Sequence, residues 1–232
     1  MNNYITRKTA AVQSSFYLPK LESHGLYSAQ SVGWTDYLQV FLFERLSKIL
    51  SSIDPDKQYT LLDVGCGLGD YLSHLRREGY VNIQYTGIDI VGEMVSSAQK
   101  KYPGFEFRRS DFFVDIFSDS YDFVVCSGAL NIIVGRSEKD HYAYVKEFIR
   151  KMCSISNIAC AFNLLSLSGK EYFPDDSRFF YVDQDDIASF CRELCDNVVV
   201  DFRVHEYIFT VHMLKENELL RQNYNTHTEV FL

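Results

Sequence analysis

The sequence predicts an α/β fold: seven strands in a mostly parallel sheet, helices on both faces, and one strand reversed in a C-terminal hairpin. Three observations carry that expectation. From residue 59 onward, short runs rich in β-branched and aromatic residues alternate with segments of helical period. The last two runs, 197–204 and 206–214, are separated by almost nothing and so pair antiparallel, whereas the earlier runs are joined by crossovers that permit parallel pairing. The loop after the first run is rich in glycine, at the place where open parallel sheets hold ligands.

Taken in order, residues 1–56 precede the alternation and form a helical segment or lid. Within "VGWTDYLQVFLFERLSKIL", Trp34, Leu38, Phe41, Leu42, Leu46, Ile49 and Leu50 share a broad apolar stripe, which predicts a helix packed on the sheet or roofing a site. The main domain, 57–214, opens with strand "YTLLDV" (59–64) and a helix marked by Tyr71, Leu72 and Leu75. Strand "IQYTGID" (83–89) leads to a helix whose Val91, Met94, Val95 and Ala98 share a face and which stops at Pro103. Strands "FEFRRS" (105–110) and "YDFVVCSG" (121–128) follow; helical segments are expected between each pair of the first five strands. A capping pattern from Ser137 to Asp140 starts a helix with apolar Val145, Phe148, Ile149 and Met152. Then come strand 157–165, a helix carrying Ile187, Phe190, Cys191 and Leu194, and the hairpin. Residues 215–232 are polar without a period and read as a weakly ordered tail.

The formal charge of -8 gives a field that repels nucleic-acid phosphates and anionic membranes, and no dense Lys/Arg block overrides it. The N-terminal stretch lacks the apolar core of a signal peptide, and the most apolar helical run is interrupted by Glu44, Arg45 and Lys48. A cytoplasmic protein, monomer or homodimer, with no nucleic-acid or membrane partner is therefore expected. The six cysteines include no CxxC pair and no metal spacing, so they read as reduced, buried thiols, and no metal is expected.

Gly65, Gly67 and Gly69 form GxGxG in "LLDVGCGLGDY". Glycine suits a tight strand-to-helix turn as well as a ligand cradle, so the loop alone decides little. Two carboxylates add to it. Asp89 ends the second strand, where it can accept both hydroxyls of a ribose. Asp63 precedes the glycines, where a pyrophosphate is repelled and a cation is welcome. A dinucleotide prefers GxGxxG with phosphate on a helix N-terminus; S-adenosylmethionine has no phosphate and carries an ammonium and a sulfonium.

The segments "LLDVGCGLGDY", "GIDI", "FRRSDFF" and "YDFVVCSGALN", in that order over residues 59–131, resemble the motifs of class I S-adenosylmethionine-dependent methyltransferases, a family with a Rossmann-like sheet. The resemblance implies that Gly65, Cys66, Gly67 and Gly69 line the methionine and ribose of the cofactor, with Asp63 near its amino end. It implies Asp89 on the ribose, Ile90 against adenine, Asp111 on the adenine amine with Ser110 and Phe112 nearby, and Ser127 and Gly128 running toward the substrate. More loosely, "HGLYSAQSVGW", "AFNLLS" and "FFYVDQDDI" resemble a bacterial small-molecule subgroup, sometimes found among genes for surface polysaccharides or secondary metabolites. That likeness brings Trp34 and Gln39 into the site. The segment "SGALN" departs from the Asn/Asp-Pro-Pro-aromatic pattern of enzymes that methylate base or glutamine amines, which points away from those targets.

Methyl transfer needs an in-line nucleophile, and much of the acceleration comes from positioning. His24, in the lid segment, and His141, in the first turns of a helix, are candidate bases for a hydroxyl acceptor. Asn131 and Asn163 follow strands four and five, where they can orient a substrate by hydrogen bonds. Arg136, Lys170 and Arg178 fall in the same two loops and suit an anionic acceptor, with Tyr17, Tyr27, Tyr172 and Tyr181 as pocket walls. The reading is methyl transfer to a small polar metabolite or polysaccharide precursor, at oxygen. An aminopropyl transferase on the same fold and a non-enzymatic S-adenosylmethionine-binding protein are the alternatives.

Overall fold

The computed structural model describes residues 2–51, 53–134, 137–172, 176–205 and 207–215. Most of the tail expected over 215–232 lies outside the described residues, as does Arg136.

A long helix comes first, α1 (Asn2–His24). It is followed by the 3-10 turn Ala29–Val32, by α2 (Asp36–Leu46) and by a second 3-10 turn, Ser47–Leu50. Thr35 caps α2, its hydroxyl accepting the Leu38 amide, so Trp34 stands just outside the helix rather than on its stripe. The alternating part then runs β1 (Tyr59–Val64), α3 (Asp70–Arg77), β2 (Ile83–Asp89), α4 (Gly92–Lys101), β3 (Glu106–Arg109) and β4 (Tyr121–Cys126). It continues with α5 (Glu138–Ile155), β5 (Ser156–Ser166), α6 (Gly169–Tyr172), β6 (Tyr181–Val182), α7 (Gln184–Leu194), β7 (Val198–His205) and β8 (Ile208–Leu214).

The strand order is β3-β2-β1-β4-β5-β8-β7, with β6 paired to the end of β5, so the sheet has eight strands where seven were expected. The extra one is two residues long, held by Leu165 opposite Tyr181 and Ser166 opposite Val182. The other strands are parallel except β8, which runs antiparallel to both β5 and β7. No helix joins β3 to β4; residues 110–120 instead fold into turns, with the Asp111 carboxylate accepting the Phe113 amide.

Period-two alternation divides the central strands between two cores. Leu62, Val64, Val124, Cys126, Cys160 and Phe162 face the side of α5 and α7. Leu61, Phe123, Val125, Ala159 and Ala161 face the side of α2, α3 and α4. Burial on both faces explains why these strands read as nearly unbroken apolar runs. β1 lies between β2 and β4, and the chain leaves it in opposite directions on its two sides. That switch point opens a crevice at the carboxyl ends of β1 and β4. No described helix is long and apolar enough to cross a membrane.

Candidate active site

Three of the loop's glycines have left-handed backbones: Gly65 at φ 77°, Gly67 at 53° and Gly69 at 75°. At Gly65 the requirement is also steric, because a Cβ would stand 2.4 Å from the Ala129 Cβ. The β1–α3 loop thus lies directly against the loop after β4. Gly69 caps α3, and a side chain there would strike Phe107 of β3.

Asp89 ties this loop to the next strand. Its carboxylate accepts the Gly67 amide at 2.9 Å and the Val91 amide at 2.9 Å. Burial raises its pKa, and those backbone amides oppose the shift. Asp63 is 2% exposed and accepts the Tyr85 hydroxyl at 2.6 Å. Burial, opposed by that hydrogen bond and reinforced by Asp89 and Asp70, pushes it up to about 7. Burial, then Asp89 and Asp63, push the Cys66 thiol up as well, so it stays protonated and unreactive.

These groups border one cavity. Its floor is Asp63, Gly65, Cys66 and Gly67; one flank is Asp89, Ile90, Met94, Ser110, Asp111 and Phe112; another is Ser127, Ala129, Tyr144 and Phe148. Trp34, Gln39, Val32 and Phe43 close it from the α2 side, and Thr9, Gln13 and Tyr17 of α1 cover it. Asp70, at the start of α3, also lines it, paired with Lys101 and receiving the Gln39 amide at 3.4 Å. Four carboxylates and, among the described residues, no lysine, arginine or histidine line this space.

Of the residues expected in a site, Asp63, Gly65, Cys66, Gly67, Asp89, Ile90, Ser110, Asp111, Phe112, Ser127, Trp34, Gln39 and Tyr17 border the cavity. Gly69 and Gly128 shape its edges without lining it; the Trp34 ring would lie 2.9 Å from a Cβ at Gly128.

The candidates for catalysis lie elsewhere. His24 is exposed at the end of α1. His141 is fully buried, bonded to the Leu130 carbonyl at 3.0 Å and packed on Tyr144 and Phe180, so neither a solvated helix face nor a cavity wall describes it. Asn163 lies beneath the floor, accepting the Gly128 amide at 2.9 Å and donating to the Ser127 hydroxyl at 3.2 Å. Asn131 accepts the Leu165 amide at 3.3 Å. Both asparagines brace strand ends instead of facing the cavity.

The expected anion site is likewise not assembled by the described residues. Arg178 closes its guanidinium fork on Asp176 at 2.7 and 2.5 Å, and Lys170 faces Glu138 at 3.6 Å. Tyr27 is 82% exposed over Lys101, and Tyr181 is buried against Gly169.

Sequence reasoning missed Thr9, Gln13 and Asp70. The signal for the first two was their spacing with Tyr17, four residues apart each time, which puts all three on one helix face. Asp70 stood in the quoted glycine motif, and only its contact with the cavity marks it.

The family model described as "Methyltransferase domain" matches residues 55–178, just over half of the chain's 232 residues. A Mycobacterium tuberculosis protein with a provisional methyltransferase name is 27% identical over 169 residues, covering 71% of this chain and 97% of its own. Among solved structures, the magnesium protoporphyrin IX methyltransferase of Synechocystis with bound S-adenosylhomocysteine superposes with a TM-score of 0.62 at 14% identity, over 89% of this chain and 98% of that one. The plantazolicin methyltransferase, solved with a triazolic desmethyl analogue and S-adenosylhomocysteine, gives 0.64 at 13% identity, over 93% and 98%. At these identities the structural likeness concerns the fold.

Proposed function

The chain belongs to the methyltransferase-domain family, and from that premise we propose that it binds S-adenosylmethionine in the cavity above the glycine loop and passes its methyl group to a small polar molecule. The observation that carries this reading is the pair of carboxylates on either side of that loop, Asp63 buried and Asp89 half-buried, both bordering the cavity. A cofactor with a pyrophosphate would meet repulsion there, whereas an ammonium, a sulfonium and a neutral ribose find partners. Asp89 takes the ribose hydroxyls on the carboxylate lone pairs left free by its two amide bonds. Ile90 and Phe112 sandwich the adenine side, and Asp111 accepts from the adenine amine. Asp63 faces the amino end, with Gly65, Cys66 and Gly67 along the methionine and Gly69 fixing the loop's exit into α3.

Trp34, Gln39 and α1 exclude water from the sulfonium. The loop Ser127 to Ala129, held from below by Asn163, delivers the acceptor to the methyl carbon. Positioning supplies the acceleration, since the displacement asks for a correctly aimed lone pair and a leaving thioether that is already neutral. The exchanged group also tests the alternatives: incubation with a metabolite extract should convert S-adenosylmethionine to S-adenosylhomocysteine. Release of methylthioadenosine from decarboxylated S-adenosylmethionine would indicate aminopropyl transfer, and binding without turnover would indicate a carrier.

A further inference from the structure

The walls of the cavity differ in character. Asp63, Asp70, Asp89 and Asp111 line the cofactor side, and Lys101 offsets Asp70. Opposite them α1 presents neutral hydrogen-bonding groups. Tyr17 belongs to the ribose end: burial and then Asp89 raise its phenol, and it packs, as Ile90 does, against the cluster of Leu68, Val91 and Met94. Gln13, one turn away, stands over the loop after β4, donating to the Ala129 carbonyl at 3.5 Å. Its side chain is 7% exposed and borders the cavity, and its carbonyl oxygen has no partner among the described residues. Thr9 follows one further turn along the same wall and is 4% exposed.

Resting on the cofactor reading above, we propose that the methyl acceptor is an amine nitrogen, whose N–H groups are received by the Gln13 carbonyl oxygen and the Thr9 hydroxyl. An anionic oxygen would enter a space in which carboxylates outnumber cations even with the cofactor's charges included. A hydroxyl would need a base; no described histidine borders the cavity, and its carboxylates are taken up by the cofactor and by Lys101 in the reading above. An amine needs neither. Its ammonium form gives a proton to water, the freed lone pair bonds to the methyl carbon, and the S–C pair returns to sulfur. The products are a methylammonium and a neutral thioether, and the carboxylates favour the cation that forms.

Probes that carry an arm in the methyl direction test this without knowing the acceptor. S-adenosylhomocysteine is compared by calorimetry with three aza-analogues bearing an aminopropyl, a hydroxypropyl or a carboxyethyl arm on the nitrogen that replaces sulfur. The aminopropyl probe should bind at least about tenfold tighter than the carboxyethyl probe, as expected for reversing a charge in a shielded acidic site. Gln13→Glu should widen that gap and Gln13→Leu should narrow it, each probe being measured relative to S-adenosylhomocysteine on the same variant. A carboxyethyl or hydroxypropyl probe as tight as the aminopropyl one, or a gap indifferent to both variants, would overturn the proposal. Failure of S-adenosylhomocysteine itself to bind the unaltered protein would instead overturn the cofactor reading, and this assignment with it.

Discussion

At the residue scale, Asp63 combines burial with a function that needs its charge. A pKa near 7 in the folded protein, against about 4 in an unfolded chain, means that the empty protein holds a proton there across that interval. This contribution to stability is fully present below about pH 4 and is lost as pH rises through 7. An ammonium beside Asp63 asks for the opposite state. S-adenosylmethionine affinity should therefore fall as pH drops below 7, by up to about tenfold per unit, and Asp63→Asn should flatten the profile. Calorimetry from pH 5.5 to 8.5 checks it; an affinity that rises on acidification would remove Asp63 from the amino end. Gly65→Ala has two separable costs: a left-handed backbone, about 1–2 kcal/mol, and the collision with Ala129. Adding Ala129→Gly should restore the collision part in urea unfolding and leave the backbone part. Equal destabilisation of the single and double variants would mean the close approach is relieved by loop movement.

At the scale of elements, α1 is the part whose function was hardest to read from sequence. Its buried groups over the cavity are polar, Thr9 and Gln13, and it carries a proline, Pro19, within the helix, so a search for apolar stripes passes over it. β6 escaped for a different reason, since two residues have no period. The β3–β4 connection looked like the other crossovers, and Asp111 and Asp115 instead fold it into turns by accepting local amides. By contrast β1, β2 and β4 were legible because both faces are buried, and the Ser137 cap of α5 because its hydroxyl does accept the Asp140 amide. The cavity's acids were legible for the same reason as the strands: Asp63 and Asp89 occupy strand ends. His141, Asn131 and Asn163 do not border the cavity, because a position in sequence does not say which way a side chain turns. If α1 covers the cofactor, S-adenosylhomocysteine should slow amide hydrogen exchange over Thr9 to Leu21 in the intact protein. Unchanged exchange there, with protection confined to the glycine loop, would mean that α1 does not respond to the ligand.

At the scale of the whole molecule, the far strand is fastened to the helical segment by charge. Asp201 of β7 is 4% exposed and receives Lys48 at 2.5 Å and Arg45 at 3.6 Å. Asp201→Asn removes the charge that faces Lys48 and Arg45 beside the core and should cost about 1–3 kcal/mol in urea unfolding. No loss would mean the pair is as well solvated as a surface bridge. The central claim, however, concerns one ligand at the switch point of the sheet, and calorimetry with S-adenosylhomocysteine on the unaltered protein and on Asp89→Ala tests it most directly. One molecule should bind per chain, and Asp89→Ala should weaken binding by about 2 kcal/mol through the lost ribose hydrogen bonds. No heat at millimolar ligand, or equal affinity in the two proteins, would contradict it.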